Sequence, residues 1–177
     1  MQIKALKTLY TRGQIAERVR EMGKEISKDY ADKEVTAVCV MKGALFFCAD
    51  LLREVSVKHL TLDFVQASSY SGTESTGTVQ FRVPLSSPVK GRHILLVEDV
   101  VDTGRTLKAL KELLMEEGAL SVKIAAMVDK HERREVELTT DYAGFVLDKG
   151  FIVGYGLDLD QSYRELPYIA EVICEED

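Results

Sequence analysis

Ile94, Leu95, Leu96 and Val97 form an unbroken apolar run, and the chain leaves it through VEDVVDTGRT, residues 97–106. Three carboxylates, Glu98, Asp99 and Asp102, fall within five residues of the run. Over residues 104–118 leucines then recur at Leu107, Leu110, Leu113 and Leu114. Those steps of three and four trace one face of a helix, and Gly118 stands where a helix stops. A buried strand, an acidic turn and a helix follow one another in that order. Such a unit sends its next strand back parallel to the first, and few folds accept it.

The same alternation recurs along the chain. Thr11 is placed to cap a helix over 11–30, with Ile15, Val19, Met22, Ile26 and Tyr30 on its inner face. Residues 35–41 read as a buried strand closed by Lys42-Gly43. Residues 44–55 read as a helix with Leu45, Cys48, Leu51 and Leu52 inward. Residues 59–65 alternate, putting Leu60, Leu62 and Phe64 on one face of a half-buried strand. Further strands are expected at 78–83, 93–97, 121–128, 143–147 and 151–155. The expected architecture is α/β, a mostly parallel central sheet flanked by helices, in a single domain over residues 1–177. Ligands of such sheets bind at the carboxyl ends of the strands, which is where VEDVVDTGRT lies.

Composition narrows the classes of partner. Acidic residues number 29 against 23 basic ones, a net charge of -6, which weighs against a dedicated nucleic-acid binder. Cys39, Cys48 and Cys174 fit neither a zinc spacing nor a paired disulfide framework, so a reduced, cytoplasmic protein is expected. The first residues lack the apolar core of a signal peptide, and no apolar run nears the roughly 18 residues of a membrane span. His59, His93 and His131 sit at strand starts and in a charged turn, and no catalytic role is expected of them.

The acidic turn offers two chemistries. A helix start presents free N–H groups and a partial positive charge to an anion such as phosphate. Gly104 lets the backbone come close, and Thr103 and Thr106 add hydroxyls. Glu98 and Asp99 suit hydroxyl-rich or metal-bound groups. Two blander readings compete. Asp-Thr-Gly is also an aspartic-protease triplet, but that chemistry needs two of them and this chain has one. Asp102 as an ordinary N-cap beside solvated acids is the other.

Residues 94–106 resemble the phosphoribosyl-diphosphate (PRPP) signature of the type I phosphoribosyltransferases. Glu98-Asp99 followed by Asp102 most resembles its 6-oxopurine branch, the hypoxanthine-guanine phosphoribosyltransferases of purine salvage. Other stretches match that branch in order. Met41-Lys42-Gly43 is similar to its diphosphate loop, and Ser69-Tyr70 to the Ser-Tyr pair of its mobile loop. Val128-Asp129-Lys130 is similar to the strand end bearing its purine-reading Lys. Phe151-Ile152-Val153-Gly154-Tyr155-Gly156-Leu157-Asp158 is similar to its base-stacking and metal segment. Arg164, in SYRELPYI, matches its diphosphate-binding Arg.

The resemblance implies a fold with a small hood built from the N-terminal segment and residues 151–177, and a mobile lid over 68–77. It implies transfer of the 5-phosphoribosyl group from PRPP to hypoxanthine or guanine, giving IMP or GMP and diphosphate. Thr103, Gly104, Arg105 and Thr106, with Asp102, would cradle the 5′-phosphate. Glu98 and Asp99 would face the ribose hydroxyls and Mg²⁺, and Asp102 would be the general base at purine N7. Lys42, Gly43 and Arg164 would hold diphosphate, and Asp158 a second Mg²⁺. Lys130 would read the 6-oxygen, and Phe151, with Ile152, would contact the base. A non-proline cis peptide is expected between Met41 and Lys42, and a homodimer or homotetramer for the assembly. Leu159 and Arg105 stand where some relatives carry an aromatic and a Lys. The alternatives are an RNA-binding attenuator on the same fold, and the same chemistry on adenine or uracil.

Overall fold

The computed structural model describes residues 3–69 and 79–174. In chain order its elements are β1 (Ile3–Tyr10), α1 (Arg12–Asp29), β2 (Glu34–Val40), α2 (Leu45–Glu54), β3 (His59–Ser69), β4 (Val79–Val83), β5 (His93–Val101), α3 (Arg105–Glu116), β6 (Ser121–Lys130), β7 (Tyr142–Leu147), β8 (Ile152–Val153) and β9 (Ile169–Cys174).

Local sequence accounts for the helix starts. Thr11 accepts from the Gln14 amide, and the Gln14 side chain accepts from the Thr11 amide, a reciprocal cap that satisfies two otherwise orphaned donors. Ile15, Val19, Met22 and Ile26 then turn inward, as their spacing predicts. α3 buries Leu107, Leu110 and Leu114.

Six strands form one sheet in the order β4-β3-β2-β5-β6-β7. Every neighbouring pair is parallel except β3 with β4. α1 and α2 cover one face over Cys39, Leu95, Val97 and Met127. α3 covers the other over Val38, Leu96, Ile124 and Ala126. From β2 the chain moves outward to β3, and from β5 it moves outward the opposite way to β6 and β7. The strand order therefore reverses between β2 and β5, and a crevice opens beyond their carboxyl ends. A second sheet, β1-β9-β8, joins the two ends of the described chain. Ile152, Tyr155, Leu157 and Ile169 pack it into the core under α1 and α2, and Tyr10 stacks on Phe145 with ring centroids 3.7 Å apart.

Several expectations need correction. β5 runs to Val101, four residues past the expected end, because it stays paired with β6 as far as Val101 opposite Asp129. β8 covers only Ile152–Val153, since Gly154 and Gly156 at positive φ break the extended run. On α2 Phe47 is buried and Leu45 is 43% exposed, the reverse of the expected phase for Leu45. On β3 Leu62 and Phe64 face outward and Asp63 and Val65 are buried. Alternation tells which residues share a face, not which face is covered. Asp63 earns no place in an apolar pattern, yet it is anchored. Its carboxylate accepts amide bonds from Phe64 at 2.8 Å, Ser86 at 3.0 Å and Ser87 at 3.1 Å, and so holds the turn that leads into β5.

Ser69 closes β3, and Tyr70 with most of the expected lid lies outside the described residues. The peptide between Met41 and Lys42 is cis, as expected.

Candidate active site

Four strand ends deliver the expected residues to the crevice. β2 gives Lys42 and Gly43, β5 gives Glu98, Asp99 and Asp102, β6 gives Lys130, and the segment after β8 gives Asp158 and Arg164.

On the β2 side the backbone is packed to the limit. A β-carbon on Gly156 would lie 1.9 Å from the Gly43 carbonyl oxygen, and one on Gly43 would lie 1.7 Å from Asp99 Oδ2. Glycine at 156 is required by the Gly43 backbone, and glycine at 43 lets the loop pass without displacing the Asp99 carboxylate. Arg164 donates to the Gly156 carbonyl at 2.6 Å and pairs with Asp158 at 2.8 Å. Asp158 also accepts from the Gln161 amide at 2.9 Å, and Lys42 Nζ reaches Gln161 Oε1 at 3.4 Å. Lys42, Gly43, Asp99, Asp158 and Arg164 thus lie together, with Lys42 tied to Gln161 and Arg164 tied to Asp158 and the Gly156 carbonyl.

On the β5 side residues 102–106 make a small cup. A cavity of about 150 Å³ is lined by Glu98, Asp102, Thr103, Gly104 and Thr106 among others. Gly104 sits at φ 79 as the N-cap of α3, and among the described residues the one side chain that meets its first-turn amides is Thr103, whose hydroxyl accepts from the Arg105 amide at 3.4 Å. Asp102 is therefore not an ordinary cap, and the first-turn amides face the cup with a partial positive charge. A larger cavity, about 440 Å³ between α1, α2 and residues 165–167, holds none of the expected site residues, so size alone does not mark the site.

Above the cup two charged groups meet. Lys130 Nζ, on a residue only 7% exposed, lies 3.9 Å from Asp102 Oδ1 and 3.5 Å from Glu132. Arg133 lies 3.5 Å from the other Asp102 oxygen. Asp102 Oδ1 is itself buried, with no hydrogen-bond partner among the described residues. A buried acceptor left open is expensive unless something is meant to fill it. Glu132 accepts from the Gly150 amide at 3.2 Å and so ties Lys130 to the segment that carries Phe151. Phe151 is 46% exposed, which rules out simple core packing for its ring. Ile152 is buried in the core, so only its main chain is available to a ligand.

Burial pushes the Glu98 carboxyl well above its usual range, and the neighbouring Asp99 charge adds to the shift. Burial also raises Asp99, against the opposing effects of its bond with Glu98, the Val100 amide and the Arg164 charge. A crowded carboxylate pair of this kind is relieved by a divalent cation. Among the described residues no three Asp, Glu, His or Cys side chains converge into a metal cage. Mg²⁺ asks for one or two carboxylates and takes its other oxygens from water and substrate, so Glu98 and Asp99 fit it. Asp158 fits less readily, since Arg164 and Gln161 occupy its oxygens.

The sequence reading missed Arg134, Glu132 and Gln161. Each lies in a charged or polar run whose members look alike in sequence, and no periodicity separates them.

The chain matches the phosphoribosyl transferase domain over residues 5–160. It is 43% identical over 171 residues to the hypoxanthine-guanine phosphoribosyltransferase of Streptococcus pneumoniae, covering 96% of this chain and 94% of that one. It is 44% identical over 164 residues to the enzyme of the same name from Lactococcus lactis, covering 92% and 88%. The crystal structure of a hypoxanthine phosphoribosyltransferase from Staphylococcus aureus superposes with a TM-score of 0.90 at 38% identity, covering 97% of this chain and 92% of that one.

Proposed function

The chain belongs to the phosphoribosyltransferase family, and from that premise we propose that it transfers the 5-phosphoribosyl group of PRPP to hypoxanthine or guanine, forming IMP or GMP and diphosphate. The observation that carries this reading is Asp102 beside the phosphate cup, its buried Oδ1 without a hydrogen-bond partner among the described residues and 3.9 Å from Lys130 Nζ. On a 6-oxopurine the N7 and O6 atoms are neighbours on one edge. A base for N7 and a donor for O6 must therefore stand a few ångströms apart, as these two groups do.

In this reading the 102–106 amides and the hydroxyls of Thr103 and Thr106 hold the 5′-phosphate. Glu98 and Asp99 receive the ribose hydroxyls, and Lys42, the Gly43 backbone and Arg164 receive the diphosphate. The base lies against Phe151, with its 6-oxygen on Lys130. The purine ring nitrogen attacks carbon 1 as the bond to diphosphate breaks. Positive charge grows on the ribose and negative charge on the leaving group, which Lys42 and Arg164 offset. Asp102 takes the N7 proton, a contribution of roughly 10²–10⁴ in rate. Glu98 and Asp99 would hold Mg²⁺ and Asp158 a second ion, and the metal would supply positive charge against the oxygens of PRPP. Residues 68–77, as a lid, would keep water from the reacting centre. Assembly as a homodimer or homotetramer is supported by Leu62, Phe64 and Val83, which are exposed on one face of the β3-β4 pair.

An absorbance assay tests the reading. Hypoxanthine, guanine, xanthine, adenine and uracil are offered in parallel with PRPP and Mg²⁺, and again after chelation. Turnover of hypoxanthine or guanine that chelator abolishes is expected, with adenine and uracil inert. Turnover of adenine or uracil instead would reassign the base, and no turnover of any base would favour the RNA-binding alternative.

A further inference from the structure

We propose that Arg134 is a positioning residue whose guanidinium sets the spacing between the strand ends that carry Asp102 and Lys130. The idea rests on the roles given above to those two residues. β5 and β6 are hydrogen-bonded neighbours up to Val101 opposite Asp129. One residue further on, where Asp102 faces Lys130, the ladder has ended and the sheet no longer fixes their separation. Arg134 spans that gap. Its Nε donates to the Asp102 carbonyl at 3.0 Å, and its Nη2 donates to the Val101 carbonyl at 3.0 Å and the Lys130 carbonyl at 3.2 Å. The same nitrogen meets the Asp129 carboxylate, and Nη1 donates to the Leu138 carbonyl at 3.3 Å. A planar fork can reach all five acceptors at once, with Nη2 sharing its two N–H groups among three of them, and a lysine cannot.

The rest of its segment supports the phosphate cup from behind. The Glu135 amide donates to the Thr103 carbonyl at 3.1 Å, and Glu135 pairs with Arg105. A β-carbon on Gly104 would lie 3.0 Å from Val136 and 3.4 Å from Arg134 Cδ. Arg134 therefore touches the backbone of both functional strand ends without reaching the reacting atoms, and an error in its placement passes directly into the Asp102–Lys130 geometry.

The test is a double-mutant cycle on the full chain, with kcat, both KM values and melting temperature read for Arg134→Lys, Asp102→Asn and the two combined. Arg134→Lys is expected to melt within a few degrees of wild type and to lose about 100-fold in kcat, the scale of an ångström's misplacement. The double variant is expected to be no slower than Asp102→Asn alone, because a group already disabled cannot be misplaced further. Wild-type kcat in Arg134→Lys, or losses that multiply in the double variant, overturns the proposal. If Arg134→Lys does not fold, Asp129→Asn, which removes the carboxylate that orients the guanidinium, replaces it in the cycle under the same criterion. Wild-type turnover by Asp102→Asn marks a different failure, that of the base assignment itself.

Discussion

Gly43 faces Asp99 so closely that a single added methyl group would sit 1.7 Å from the carboxylate. The obstacle is the far end of a side chain, which can swing aside. Gly43→Ala is therefore expected to keep nearly the wild-type melting temperature and to lose about 100-fold or more in kcat/KM for PRPP. Gly156→Ala meets a backbone oxygen at 1.9 Å and a φ of 101, neither of which can yield. It is expected to lose about 1–3 kcal/mol from its backbone conformation alone. Paired thermal melts and PRPP titrations separate the two outcomes.

Lys130 is nearly buried and presents its ammonium beside Asp102. Lys130→Met keeps the length and removes the charge. A hydrogen bond from a charged donor is worth about 1.5–3 kcal/mol, so kcat/KM for hypoxanthine should fall roughly 10- to 100-fold. Adenine carries an amino donor where hypoxanthine carries the 6-oxygen. The preference for hypoxanthine over adenine should narrow in the same variant, measured by competition between the two bases.

Burial raises the Asp63 carboxyl, but the amides of Phe64, Ser86 and Ser87 outweigh it and hold the group below its ordinary value. A depressed folded-state pKa stabilises the fold above the unfolded value, about 3.9. That contribution is lost as pH falls through the folded value. Asp63→Asn sets an amide donor against those amides and is expected to lose about 1–3 kcal/mol at neutral pH. The gap to wild type should shrink below about pH 4. Denaturant melts at pH 7 and across the acid range measure it, and a gap constant with pH would contradict it.

Thr11 and Gln14 cap α1 reciprocally at the chain's first turn into helix. Thr11→Ala is expected to destabilise by about 1 kcal/mol. For a domain of this size that is a drop of roughly 2–4 °C in melting temperature. Activity at low temperature should stay unchanged, since Thr11 touches no part of the site.

What the sequence discloses follows from how local each cause is. α1 and its cap, α3 with Leu107, Leu110 and Leu114 inward, and the strand-turn-helix order of VEDVVDTGRT are written within a few turns of chain and fold as read, apart from the later end of β5 at Val101. The orientation of Leu62 and Phe64 is not local, because it depends on how far α2 reaches across the sheet. Arg134 is hidden for a different reason. Its main partners are carbonyl oxygens, which every residue possesses, so nothing in HERRE distinguishes it from Arg133 beside it. β1 and β9 escaped notice because each makes sense only beside the other, with Ile3 opposite Cys174.

β9 is the middle strand of that small sheet, and β1 and β8 each pair with it rather than with one another. A ribosome making this chain releases β1 before the six-stranded sheet and β9 after it. β1 must wait, its edge unpaired, until the strands between them have been made. The groups assigned to sugar and phosphate, carried by β2, β5 and α3, can take shape in the meantime. Phe151, which leads into β8, gains its seat only at the end. A growing chain thus completes the groups proposed for the sugar before Phe151, proposed for the base, and a stop codon just before β9 would remove the whole small sheet rather than one strand of it.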